Sequence, residues 1–326
     1  MKDKTNPAQD AACIRSKIGG QALIEGVMMR GTDTAAMACR LNDGTIDIET
    51  WGVKNGKNVP WFRKAPFLRG IFNFVISMAE GYKCLMKSAD KSMEGLAEEE
   101  SETKFEQWLD RVAGDKLMKI ISVVSVVLGV GMALVLFMYL PALLSTGLGK
   151  LVALSPLAKT ILEGVLKITI FVGYLWLTTK MKDLRRTYEY HGAEHKTIAC
   201  YEHGEALTPA NVKKFTRFHP RCGTSFLFIV LFISIIVFSA LRLPWDNLPL
   251  RVGCKLALLP VVVGIAYEII RIAGRHDNAF TRVISAPGLW IQRLTTREPD
   301  ERQIEVAIAA LTPCIPADKT EDVWGS

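Results

Sequence analysis

IISVVSVVLGVGMALVLFMYL, residues 120–140, is a 21-residue run without a charge, and about 20 apolar residues in a helix cross the hydrocarbon core of a bilayer. A second uncharged run, residues 222–241, has 20 residues. Two further stretches carry ionisable groups: residues 161–179 with Glu163 and Lys167, and residues 252–271 with Lys255, Pro260 and Glu268. Such groups are compatible with a span when they face the bundle interior or lie near an interface. Glu163 and Lys167, one helical turn apart, are expected to pair within the second span. The chain thus reads as a mainly α integral membrane protein with about four transmembrane helices. Composition agrees, since 49% of the 326 residues are hydrophobic and a mean hydropathy of +0.20 with a pI near 9.0 argues against an ordinary soluble enzyme.

Orientation is read from lysine and arginine. Residues 180–221 hold nine of them, the connection at 145–156 holds only Lys150, and Arg242 and Arg251 stand beside Asp246 between the last two spans. The positive-inside rule then puts residues 180–221 and both termini in the cytoplasm. The first twenty residues are polar, so no cleavable signal peptide is expected. Seven cysteines without a C-x-x-C pair fit reduced thiols. The expected divisions are a cytoplasmic N-terminal module at 1–115, two spans at 116–180, a cytoplasmic segment at 181–221, two spans at 222–273 and a cytoplasmic C-terminal part at 274–326.

The N-terminal part has the texture of a small cytoplasmic α/β module. Residues 35–41 and 45–51 flank Asn42-Asp43-Gly44, a turn signal that predicts a β-hairpin. Residues 66–87 intersperse apolar and charged positions in the manner of an amphipathic helix, lying on the membrane or packed against the spans, with a core helix of the module as the alternative. The acidic run at 94–106 reads as a solvated linker or helix face. Near the other end, Ala286-Pro287-Gly288 is expected to break the chain before an amphipathic pattern at 289–311. Acids at Glu298, Asp300 and Glu301 suit a helix N-terminus, with Pro299 in its first turn.

Chemistry concentrates in His191-Gly192-Ala193-Glu194-His195, an H-x-x-E-H pattern. On a helix the two imidazoles share one face and reach a single divalent metal, zinc being the expected ion, with Glu194 beside it as general base. Zinc accepts histidine nitrogen, cysteine sulfur and carboxylate oxygen, about three from the protein at a catalytic centre and about four at a structural one. The assumed topology brings His219 and Cys222, before the third span, and Glu268, in the fourth, to the same membrane face, with Arg271, His276 and Asp277 beyond. Glu268 would complete a His-His-Glu site open to water. His219 and Cys222 would instead close a four-ligand structural shell. Glu202, His203 and Glu205 are weaker candidates that a solvated loop explains. Glu25 and Arg30 lie in a glycine-rich stretch, where Glu25 either serves the site or sits on a half-buried strand.

Five stretches in order, IGGQALIEGVMMRG (18–31), YHGAEHKTIACYEHGEALT (190–208), HPRCGTSF (219–226), YEIIRIAGRH (267–276) and LWIQRLTTREPDERQIEVAIAAL (289–311), resemble the YqhQ-like family, a bacterial membrane family with plastid relatives. The resemblance covers nearly the whole chain and implies a bacterial cytoplasmic membrane location and a metal site, with no established substrate.

The leading expectation is a metal-dependent hydrolase acting on a membrane-associated peptide or lipid at the cytoplasmic interface, with a noncatalytic scaffold holding structural metal as the alternative. Membrane lipid is the expected partner, drawn by the basic inner face, and nucleic acid is not. A transporter is disfavoured because four spans show no evident substrate path.

Overall fold

A computed structural model describes residues 14–53, 60–93, 120–121, 123–152, 154–241, 245–275, 278–318 and 322. Cys13, the acidic run at 94–106, Arg242, His276 and Asp277 lie outside the described residues. The chain forms two compact units, one of residues 93–174 and 231–262, the other of residues 1–92, 175–230 and 263–326.

Among the described residues, four helices are long and apolar enough to cross a membrane: Val123–Leu151, Pro156–Thr178, Gly223–Ala240 and Leu248–Ile272. They coincide with the four apolar runs because length and uncharged composition alone set them. The first extends beyond the expected end, so residues 145–151 are helical and the connection shrinks to 152–155. Ser145 and Thr146 do not break it, because both hydroxyls donate back to the Ala142 carbonyl, at 3.0 and 2.6 Å. Ahead of Pro141 the helix widens into a π turn at Val135–Tyr139; proline has no N–H and its ring crowds the preceding turn.

Within this unit Glu163 forms its ion pair with Lys255 of the fourth span, while the Lys167 ammonium lies 5.4 Å from the centre of the Phe238 ring. The expected Glu163–Lys167 pair is thereby corrected. A pair along one helix is worth only about 0.2–0.5 kcal/mol, whereas Lys255 and Arg251, both buried, would otherwise face a low-dielectric interior without a counter-charge.

The other unit is built on a four-stranded antiparallel sheet in the order β1 (Gly19–Leu23), β2 (Gly26–Arg30), β3 (Thr34–Arg40), β4 (Ile46–Gly52). The β3–β4 hairpin is the expected one, turning at 41–45 with Gly44 at φ 87°. β1 and β2 add a second hairpin whose two-residue turn is Ile24-Glu25, with Leu23 paired to Gly26. Glu25 therefore sits in a turn, at φ 48°, rather than on a strand.

Strand alternation sorts the sheet's side chains into two cores. Val27, Met29, Ala36 and Ala38 pack with Tyr190, Ala193, Ile304 and Ala307 of two helices, Lys182–Glu202 and Glu301–Leu311. Leu23, Met28, Met37 and Cys39 pack with Cys84 of the helix Leu68–Met93. The same helix lies against Tyr267 of the fourth apolar helix, where a Cβ on Gly70 would be 2.6 Å from the Tyr267 Cβ and Asn73 donates to the Tyr267 hydroxyl at 2.9 Å, while Val75 and Met78 stay exposed; the amphipathic segment at 66–87 thus packs on the module core and against a span. The sheet is a middle layer, which explains why β2 and most of β3 are buried.

Two C-terminal expectations are corrected. Pro287 does not break the chain, because it lies inside the helix Ala279–Thr295. The pattern at 289–311 then divides between that helix and Glu301–Leu311. Asp300 is the cap of the latter, accepting from the Gln303 N–H at 2.8 Å while Gln303 Oε1 accepts from the Asp300 N–H at 2.9 Å. Pro299 thus precedes the cap instead of occupying the first turn.

Candidate metal centre

The helix Lys182–Glu202 is buried on almost every side from Tyr190 onward, so its polar side chains must find partners within the protein. Helical spacing sets the His191 and His195 rings 4.4 Å apart between centroids. The helix approaches the segment following Thr295 so closely that a Cβ on Gly192 would lie 2.0 Å from the Arg297 carbonyl oxygen. The Arg297 N–H donates to the Tyr188 carbonyl at 2.8 Å, which seats residues 295–297 against the motif.

That seating fixes the imidazoles. His191 Nδ1 lies 2.8 Å from the Thr295 carbonyl oxygen and His195 Nδ1 lies 2.6 Å from that of Arg217. A carbonyl only accepts, so each Nδ1 carries a proton and donates, which turns both Nε2 atoms toward the remaining donor. The two Nε2 atoms meet a third donor. His191 Nε2 is 3.2 Å from Cys222 Sγ, and one donor atom from each of His191, His195 and Cys222 falls within 4.8 Å of the others. Metal–ligand distances of about 2.0–2.3 Å in a tetrahedral shell put ligand atoms roughly 3.3–3.8 Å apart, so the three fit a zinc-sized ion after small side-chain shifts.

The charges agree with that chemistry. Burial opposes ionisation of the Cys222 thiol, but His191 and His195 beside it outweigh burial and hold it well below the usual thiol range. Burial likewise opposes charging His191, yet the adjacent sulfur and Glu194 raise it to about 9. For Glu194, burial raises its proton affinity, His195 and His191 counter it, and the Gly20 N–H donates to its carboxyl. Within the motif, Glu194 Oε2 and His195 Nε2 are buried without a hydrogen-bond partner among the described residues. Gly20 comes so close to Glu194 that a Cβ there would be 3.0 Å from its carboxyl carbon and 2.6 Å from the Met28 carbonyl oxygen.

The remaining candidates lie elsewhere. Glu268 is engaged by the Arg69 guanidinium, whose Nε donates to it at 2.7 Å, and Arg271 also acts on its charge. It does not share the histidine–cysteine group. His219 has its ring centroid 5.5 Å from that of His195, but Gln292 brackets its backbone, accepting from its N–H at 2.8 Å and donating to its carbonyl at 2.7 Å. Burial first, then Arg221 and His195, lower the His219 pKa against the pull of Glu202, so His219 is neutral near pH 7 and the counter-charge of Glu202 is Arg221. Glu202 is buried, also accepting from the Ser16 N–H at 2.8 Å, which corrects its reading as part of a solvated loop. Glu25 pairs with Arg186 and accepts from the Tyr190 hydroxyl at 3.2 Å. Arg30 pairs with Glu80.

Gly20, Gln292 and the Thr295 and Arg217 carbonyls were not singled out from the sequence. Carbonyl partners leave no residue-type signal, whereas the doubled glycine at 19–20 could have shown a backbone in close approach.

Comparison with known proteins agrees with the motif resemblance. Residues 65–317 match the family described as a protein of unknown function, DUF1385. The chain is 35% identical over 291 residues to the uncharacterized protein YqhQ of Bacillus subtilis (strain 168), covering 89% of each chain. No solved structure matches. With its five ordered motifs, its four apolar helices and a match spanning most of its length, the chain belongs to the YqhQ-like family, DUF1385.

Proposed function

We propose that this protein is a metal-dependent hydrolase of the bacterial cytoplasmic membrane, with residues 180–221 and both termini cytoplasmic, acting on a membrane-associated peptide or lipid. The observation that carries the reading is the set of buried atoms left without partners: His195 Nε2 and Glu194 Oε2, beside a His191 Nε2 whose tautomer is fixed by Thr295 and a readily ionised Cys222. A thiolate with two imidazoles suits zinc, which would supply Lewis acidity there. Three protein ligands leave one position open, as at catalytic centres. Glu194, raised in proton affinity, takes the proton from the attacking water and returns it to the leaving group.

Burial favours a second reading. Glu194, His195 and Cys222 are only 4, 1 and 8% exposed, as suits a structural metal in a noncatalytic scaffold. Glu194→Gln separates the two, because it preserves size while removing the base. In a strain lacking the parent gene, the enzyme reading expects normal protein level and metal content with complementation lost. Full complementation by Glu194→Gln would remove the base and favour the scaffold.

A further inference from the structure

The unit of residues 93–174 and 231–262 holds a second charged group with no part in the metal centre. Lys167, Arg251 and Lys255 are 6, 0 and 3% exposed, and among the described residues of this unit Glu163 is the one buried carboxylate. Three cations against one anion leave two positive charges inside the segments read as membrane spans. The pairing is incomplete. Lys255 donates to Glu163 Oε1. Arg251 Nη2 donates to the Ala142 carbonyl and Thr146 Oγ1, each at 2.8 Å, while Arg251 Nε and Nη1 and Glu163 Oε2 have no hydrogen-bond partner.

Lys167 has neither a hydrogen bond nor an ion pair among the described residues; its ammonium faces the Phe238 ring at 5.4 Å, and Lys255 faces the same ring at 5.5 Å. Between them is a small cavity lined by Thr160, Glu163, Lys167, Ser234, Phe238 and Lys255, with room for one occupant about the size of a water molecule. Unpaired charge at such depth is costly and marks ion pathways or binding positions. A space this small suits a monatomic ion. The surplus charge selects an anion.

We propose that this cavity is a binding site for a small monovalent anion of halide size, held by the Lys167 and Lys255 ammonium groups. Glu163 fixes Lys255 at the site and limits the net charge, so that one monoanion neutralises half of the surplus and supplies Lys167 with its missing partner. The Phe238 ring lies within cation–π range of both ammonium groups, which helps to hold them at the cavity.

Equilibrium binding of radioactive chloride to the purified full chain in detergent, with gluconate keeping ionic strength constant, tests this. The wild type is expected to bind about one chloride per chain saturably. Lys167→Met leaves the Glu163–Lys255 pair untouched and is expected to weaken binding about 10- to 100-fold, the effect of losing one charge-assisted hydrogen bond. Lys167→Arg should keep most of it. A thermal melt in gluconate confirms that each variant is folded. Absence of saturable chloride binding by the folded wild type, or equal binding by Lys167→Met, would overturn the proposal.

Discussion

Cys222 Sγ lies 3.2 Å from His191 Nε2, although 31 residues separate them in the chain. This contact, with His195 on the next helical turn, gives the proposed ligand set, which leaves out Glu268, engaged by the Arg69 guanidinium. His195→Ala and Cys222→Ser are therefore expected to abolish stoichiometric zinc binding, while Glu268→Gln retains it. Elemental analysis of the three purified variants decides this; loss of metal in Glu268→Gln alone would restore the His-His-Glu set.

Gly192→Ala should destabilise the protein even though alanine is the better helix former by about 1 kcal/mol. Its Cβ would lie 2.0 Å from the Arg297 carbonyl oxygen, and backbone cannot give way as a side chain can. The expected net loss is about 1–3 kcal/mol, read as a lowered Tm of the detergent-purified protein. An unchanged or raised Tm would show that residues 295–297 do not pack against the motif helix.

Glu202→Gln leaves the half-buried Arg221 without its counter-charge, a change expected to cost about 1–3 kcal/mol near neutral pH. Burial raises the Glu202 pKa, but His219 and Arg221 overcome it and lower it below the usual value. A depressed carboxylate contributes stability that is present above its unfolded pKa, about 4.3, and lost as pH falls through the folded one. The gap in Tm between Glu202→Gln and wild type should thus be constant above about pH 5 and narrow below it. A gap that is flat down to the acid unfolding limit refutes an ionised Glu202.

The orientation can be tested with two single-cysteine additions, Ser155→Cys in the connection at 152–155 and Lys213→Cys in the basic segment. A membrane-impermeant thiol reagent applied to intact cells is expected to label the first and spare the second, relative to the parent chain. The reverse pattern inverts the topology.

The sequence alone determined the four spans and the His191–Glu194–His195 face, because both depend on local quantities: the length of an uncharged run and the 3.6-residue helical period. It also showed the β3–β4 hairpin through Asp43-Gly44, whose turn chemistry is local. The β1–β2 hairpin stayed hidden because Ile24-Glu25 carries no turn signal and Glu25 is held at φ 48° by its surroundings. Only the tertiary structure grouped Cys222 with His191 and His195. Cys222, His219 and Glu268 were chemically equivalent choices until packing spoke: the helix Leu68–Met93 brings Arg69 to Glu268, Gln292 brackets the His219 backbone, and Cys222 is left facing His191. Likewise Glu163 had a partner in reach on its own helix, yet burial of Lys255 and Arg251 assigned it across the bundle. Competition among partners for a buried charge is settled by desolvation and geometry, and neither is written in the spacing of residues along the chain.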